Sequence, residues 1–336
     1  MLPVLTAIGA MACVVALGGV VQRTGLLARR GLPGGANTPD DGAGARHVLA
    51  TLSFTICAPA LMFSTLASTD LAHVLSRGAA VTWATTGALG LVTAVVARWL
   101  LRLPAGPAAV TTLAAVYVNG GNIGIPLAVY LFDDALAVVP TLLFQLLVLA
   151  PLALSVLDRA TGRAPAPSGV RSLGHVLLAA FRNPITVGTV AGLLVAVGSE
   201  LTGAHLPDVV LLPFDLIGAA APPLGLLTFG MTLAVPLPPA DLSASGSRWP
   251  VSRVIVLAVL VRNLLHPLAA WALGSALGLD GTALALVVTM AALPTAVNVT
   301  TYATRYGVFD GVAARATVWT TALCVPVLIT IGALPR

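Results

Sequence analysis

Residues Val116 to Phe132 read VYVNGGNIGIPLAVYLF. An apolar, membrane-length segment here carries two asparagines, three glycines and a proline between Asn119 and Pro126. Proline removes a backbone donor and clashes with the preceding turn, while Gly120, Gly121 and Gly124 lower the cost of leaving helical geometry. In hydrocarbon each freed amide or carbonyl costs several kcal/mol unless something binds it. A broken helix therefore survives only where it packs within protein or lines a polar cavity. Asn119 and Asn122 have side chains that can bind such groups, each other or a ligand.

A second segment shares these elements. VVTMAALPTAVNVTTYATRYG, Val287 to Gly307, carries Pro294, Thr295 and Asn298 in mid-span. Two such breaks meeting near the midplane would form one site, with Asn119, Gly121, Asn122, Gly124, Pro126, Pro294, Thr295 and Asn298 as its substrate-binding candidates. Each break also begins a new half-helix, expected near Pro126 and near Pro294, whose N-terminus carries roughly half an elementary positive charge. Two such ends suit a carboxylate or another small anion. Isolated prolines elsewhere, Pro59, Pro151, Pro213 and Pro267, read as packing kinks.

The rest of the chain supports an all-α integral membrane protein. Hydrophobic residues make up 58% of the 336 and charged residues 9%, where a soluble domain has about 25% charged. Breaks at charged or Gly/Pro-rich positions divide the chain into about ten spans of crossing length. These run over residues 2–21, 47–67, 79–101, 108–132, 136–157, 173–199, 208–235, 251–276, 281–304 and 312–334. The sixth is expected to start as an interfacial helix, SLGHVLLAAFR, with the span proper opening at Pro184. The first has no basic residue before its apolar run, which fits a transmembrane helix and not a cleaved signal.

The net charge of +5 comes from seventeen arginines scattered through short loops, so it reads as a topology signal, with no nucleic-acid partner. Placing both termini outside puts fourteen arginines on the cytoplasmic side and two, Arg77 and Arg336, on the other. Cys13, Cys57 and Cys324 are far apart in apolar segments, which excludes a disulfide framework and gives no metal site. No cofactor is called for.

Weak internal symmetry follows the breaks. LPVLTAIG from Leu2 is echoed by NPITVGTVAG from Asn183, and APALMFSTLA from Ala58 by APPLGLLTFG from Ala221. Five spans per copy is an odd number, so the second copy must insert upside down. The expected organisation is a first five-helix repeat over 1–160, a cytoplasmic linker over 161–172 and a second, inverted repeat over 173–336.

The two interrupted segments carry a family resemblance. NGGNIGIPLAVYLF looks like the fourth-helix motif of the auxin efflux carrier family, an Asn followed by Gly-hydrophobic-Pro. AALPTAVNVTTYATRYG resembles that family's ninth-helix motif, with Pro-Thr-Ala-x-Asn and a closing Arg-Tyr-Gly. The likeness extends over essentially the whole chain and suits a bacterial member. It implies a fold similar to bile acid symporters and sodium/proton antiporters, with scaffold and crossover domains that move against each other. It also implies that Asn119, Gly124, Pro126, Pro294 and Asn298 hold the substrate. The substrate so implied is an organic anion, an indole carboxylate in plant members or a short dicarboxylate in bacterial ones, exported across the plasma (inner) membrane. The short link Asp158 to Ser172 departs from the long central loop of many plant members and argues against loop-based phosphoregulation.

Intramembrane charge is sparse. Arg262 lies mid-span in the eighth segment with His266 a turn further on, and Asp215 lies in the seventh. A charge at that depth costs on the order of 3 kcal/mol and needs a partner. For Arg262 the candidates are Asp215 and the carbonyl end of a broken half-helix. Functionally Arg262 could stabilise the crossover or neutralise an anion and Asp215 could carry a coupling proton, the alternative being a structural ion pair that ties two spans together, the reading preferred for Asp215; His266 reads as a packing residue ahead of a titrating one. No acid lies in the fourth or ninth span, so coupling to a proton or sodium stays open beside passive export, as does a homodimer. A channel or a cation-coupled symporter of the same fold is the alternative reading. An intramembrane enzyme is disfavoured, because Asp40-Asp41 and Asp133-Asp134 are isolated pairs expected on opposite sides of the membrane.

Overall fold

A computed structural model describes residues 2–27, 43–68, 76–162, 184–236 and 251–333. The interfacial helix, Asp40-Asp41, Asp70, the linker beyond Gly162 and Arg29, Arg30, Arg163, Arg171, Arg182, Arg248 and Arg336 lie outside them. The described chain is helical, and its only β pairing is one isolated antiparallel bridge.

In order the helices are α1 (Leu2–Thr24), α2 (Gly44–Ala67), α3 (Arg77–Leu100), α4 (Ala105–Val116), α5 (Gly120–Phe132), α6 (Ala135–Ala160), α7 (Pro184–Thr202), α8 (Asp208–Leu233), α9 (Val251–Ala276), α10 (Gly281–Ala291), α11 (Val297–Tyr306) and α12 (Asp310–Ala333). Seven of them, α2, α3, α6, α7, α8, α9 and α12, are long and apolar enough to cross a membrane. The chain is a multi-pass membrane protein. Leu91, Trp99, Val209 and Leu216 are each more than two-thirds exposed, as an outer face meeting hydrocarbon requires. Threonines within these helices turn their hydroxyls back on the carbonyl four residues earlier, Thr85 to Val81 at 2.7 Å and Thr111 to Pro107 at 2.8 Å, so a polar residue can sit in an apolar span.

Prolines are absorbed in a repeated way. π-helical turns at Ser53–Cys57, Gly120–Gly124, Gln145–Leu149 and Val261–Leu265 each end two residues before a proline, Pro59, Pro126, Pro151 and Pro267. The wider turn makes room for the ring and removes the need for its missing N–H. This corrects the expectation that Pro126 opens a half-helix. The helix after the first break starts at Gly120, and Pro126 is carried inside it, while the second restarts at Val297, three residues beyond Pro294.

The chain divides into two compact units interleaved along the sequence. The first comprises residues 1–71, 121–135 and 187–236, and it is held by close backbone approach. Where α1 lies on α8, a Cβ on Gly18 would collide with the Leu227 carbonyl, and one on Gly230 with the carbonyl of Val15. Where α7 lies on α2, a Cβ on Gly188 would strike the Pro59 carbonyl. Small residues are what lipid-embedded helices need in order to pack, since lipid already solvates their apolar side chains. The second unit comprises 72–120, 136–186 and 237–336. Its core gathers Leu113 and Val116 of α4, Leu157 of α6, Val254 and Val261 of α9, Val299 of α11 and Val312 of α12.

Gly230→Ala and Gly18→Ala are each expected to destabilise the protein by about 1–3 kcal/mol through overpacking. Gly9→Ala and Gly198→Ala, where an added Cβ meets nothing within 4 Å, serve as neutral controls in the same thermal-unfolding series.

Candidate functional site

In the second unit the unwound segments between α4 and α5 and between α10 and α11 lie side by side. Val118 and Thr295 form the antiparallel bridge, with the Asn119 amide donating to the Pro294 carbonyl at 2.8 Å and the Ala296 amide to the Tyr117 carbonyl at 3.0 Å. The structure thus brings Asn119, Pro294 and Thr295 together.

Each break cancels several helical bonds, and for one bond in each break both freed groups have a new partner. An unbroken α4 would join the Val118 amide to the Ala114 carbonyl. Instead that amide donates to Oε1 of Gln145, and Ala114 accepts from the Thr295 hydroxyl at 2.6 Å. In α10 the cancelled bond runs from the Thr295 amide to the Ala291 carbonyl. Here the amide donates to Oγ1 of Thr320 at 3.0 Å, and Ala291 accepts from the Arg262 guanidinium. Asn263 steadies the Thr320 turn by donating to its carbonyl at 3.0 Å.

Arg262 is 0% exposed. Its guanidinium contacts the Ala291 carbonyl and Nδ1 of His266, and its Nε and other terminal nitrogen have no hydrogen-bond partner among the described residues. The expected pairing with Asp215 is not made: Asp215 is exposed on α8 in the first unit. The carbonyl end of a broken half-helix, the other expected partner, is the one used, where a cation also meets the negative end of the helix dipole. Because a guanidinium only donates, His266 Nδ1 accepts, and its Nε2–H donates to Thr86 Oγ1 at 3.1 Å. In this arrangement His266 is the neutral tautomer.

The remaining candidates fall into two groups. Asn298 is half-buried in the first turn of α11, within hydrogen-bonding reach of the Tyr117 hydroxyl, and Tyr117 stands edge-on to Tyr302 with ring centroids 6.3 Å apart. The α11 N-cap, Ala296, offers no side-chain acceptor, so the helix presents its first-turn amides and the positive end of its dipole. Gly121, Asn122, Gly124 and Pro126 belong to the first unit, where Gly225 of α8 faces the Asn122 backbone and a Cβ there would lie 3.2 Å from its Cα. Gly121 is half-buried with nothing within 4 Å of an added Cβ. At its far end α11 closes on Gly307 in the left-handed region, at φ 63°, and Tyr306 donates to Asp158 of α6 at 2.6 Å. These features account for the Tyr-Gly of the closing Arg-Tyr-Gly.

Gln145, Thr320 and Tyr117 are the residues that sequence reasoning missed. Gln145 did carry a signal, as a lone amide in the apolar run VVPTLLFQLLVLAP. Gln145→Leu and Thr320→Val each strand a buried amide, and each is expected to cost about 1–3 kcal/mol in detergent-solubilised protein. Gln145→Glu, which keeps an acceptor oxygen, should fall between Gln145→Leu and the wild type. A Gln145→Leu protein that melts with the wild type would show that the Val118 amide has another partner.

A family model described as a membrane transport protein, of the auxin efflux carrier type, matches residues 42–331. That span contains both breaks and the bridge between them, and the chain belongs to this family. Comparison with curated proteins gives no significant match.

Proposed function

We propose that this membrane transport protein is a secondary transporter, working in the export direction, of a small organic anion such as a carboxylate, bound at the crossover and moved by alternating access. The observation that carries this reading is Arg262, a buried cation with no carboxylate partner among the described residues, seated on the carbonyl end of α10. The helices meeting at the crossover contain no acid of their own. The uncapped N-terminus of α11 adds a partial positive charge beside Asn298. An anion is the ligand that this charge distribution favours.

The paired packing in the first unit supports the inverted-repeat organisation. The segments that match across the halves, APALMFSTLA and APPLGLLTFG, each receive a glycine-bearing helix from the opposite half, α7 on α2 and α1 on α8. On this reading repeats over 1–160 and 173–336 flank the linker, and ten spans cross the plasma membrane with both termini outside. Asn119, Thr295 and Asn298 contact the substrate, and Gly121, Asn122, Gly124 and Pro126 shape the helix that leaves the first break.

Thermal-shift screening against mono- and dicarboxylates and their neutral amides tests the proposal. One acid is expected to stabilise the wild type, its amide to have no effect, and Asn119→Ala and Asn298→Ala to lose the response. Stabilisation by the amide as strongly as by the acid would overturn the anion assignment. In proteoliposomes, uptake of that acid should saturate and show counterflow; linear flux without counterflow would indicate a channel instead.

Arg262→Met separates charge from bulk. It should lower carboxylate affinity at least tenfold, corresponding to about 1.4 kcal/mol, and, because it strands the Ala291 carbonyl, also lower the melting temperature. An unchanged affinity, measured by titration calorimetry, would leave Arg262 with a purely structural role.

A further inference from the structure

Behind the unwound strand the second unit encloses a small cavity of about 10 Å³, lined by Thr82, Thr86, Val118, Thr141, Gln145 and His266, among others. That volume admits a single water-sized occupant and nothing larger. Most of its wall is apolar, with Val116, Val118, Met290 and Ala291, but a dry cavity is expected to be wholly apolar, and Thr82, Thr86, Thr141, Gln145 and His266 also border this one.

The hydrogen-bonding capacity of the wall identifies the occupant. Thr141 is 6% exposed, and its hydroxyl has no partner among the described residues. The Thr86 oxygen accepts from His266 Nε2–H, which leaves its own O–H proton to be donated. The Thr82 hydroxyl is committed to the Gly78 carbonyl at 2.9 Å, and Gln145 Oε1 to the Val118 amide. Two O–H protons therefore need an acceptor at this one place. A cation cannot supply one, and the Arg262 charge, one imidazole away, opposes any cation. A water molecule has the lone pairs to accept from hydroxyls and protons to return to free oxygens.

We infer that the cavity is the site of one resident water, held by Thr141 and Thr86, which extends the chain Arg262–His266–Thr86 to the wall formed by Gln145, the residue that anchors the unwound strand. The water belongs to the scaffold of the crossover and is independent of which substrate is carried.

A high-resolution structure of the full chain in lipid nanodiscs tests this directly. Density at roughly 2.7–3.0 Å from the Thr141 and Thr86 hydroxyl oxygens is expected in the wild type and in Thr141→Ser. It should be lost in Thr141→Val, which keeps the shape and removes the hydroxyl. Absence of the peak in the wild type, or its persistence in Thr141→Val, overturns the assignment. Thermal unfolding in sodium chloride against choline chloride gives a second readout: equal melting temperatures are expected, and a sodium-dependent rise would show that an ion occupies the site. Should Thr141→Val fail to fold, Thr86→Val provides the same loss-of-peak test.

Discussion

Backbone groups that two interrupted helices release into a low-dielectric interior have to be paired again, and this requirement shapes the second unit. The amides of Val118 and Thr295 and the carbonyls of Ala114 and Ala291 belong to helical bonds that the breaks cancel. Each finds a different replacement, from Gln145, Thr320, Thr295 and Arg262 respectively. Without water to substitute, each unpaired group would cost several kcal/mol, so the replacements are obligatory. They in turn dictate the neighbours: α6 must present Gln145, α12 must present Thr320, and α9 must carry a long donor deep enough to reach Ala291.

The first unit coheres by the opposite means. Its helix contacts rest on glycines that let backbone touch backbone, as at Gly18 against Leu227 and Gly230 against Val15. Dispersion at close range is the chief attraction available between apolar helices in lipid, and it falls steeply with any added atom. One unit therefore tolerates polar substitution poorly where hydrogen bonds are exchanged, and the other tolerates bulk poorly where carbonyls meet glycines.

Much of this was legible in sequence because a membrane leaves few options for the backbone. The span over 251–276 ends where α9 does, at Ala276, and the interruptions fall at Asn119 in the fourth segment and at Pro294 in the ninth. Three things were not legible. The restart of the helix at Gly120 depends on a π-helical turn that absorbs Pro126, and proline by itself does not say whether it begins a helix or is carried within one. The partner of Arg262 was one of two named candidates, and only the fold shows that the Ala291 carbonyl is used while Asp215 is exposed on the first unit. Gln145 and Thr320 were passed over because a single amide or hydroxyl in an apolar span usually satisfies itself on its own helix, as Thr85 and Thr111 do.

Arginine at position 262 couples the structural demand to the electrostatic one. A lysine could give the Ala291 carbonyl a donor, but it loses its proton readily when buried, and the charge with it. A guanidinium stays charged and has several donors in a plane, enough to reach Ala291 and His266 from one terminal nitrogen. The carbonyl ends of α4 and α10 each contribute roughly half a negative charge, and the amide end of α11 roughly half a positive one. Against those partial charges the full charge of Arg262 makes this part of the crossover net positive. A carboxylate coupling group in α4 or α10 would offset that charge, and neither helix has one. On the proposed reading, the group that repairs the second break also sets which sign of ligand the crossover accepts.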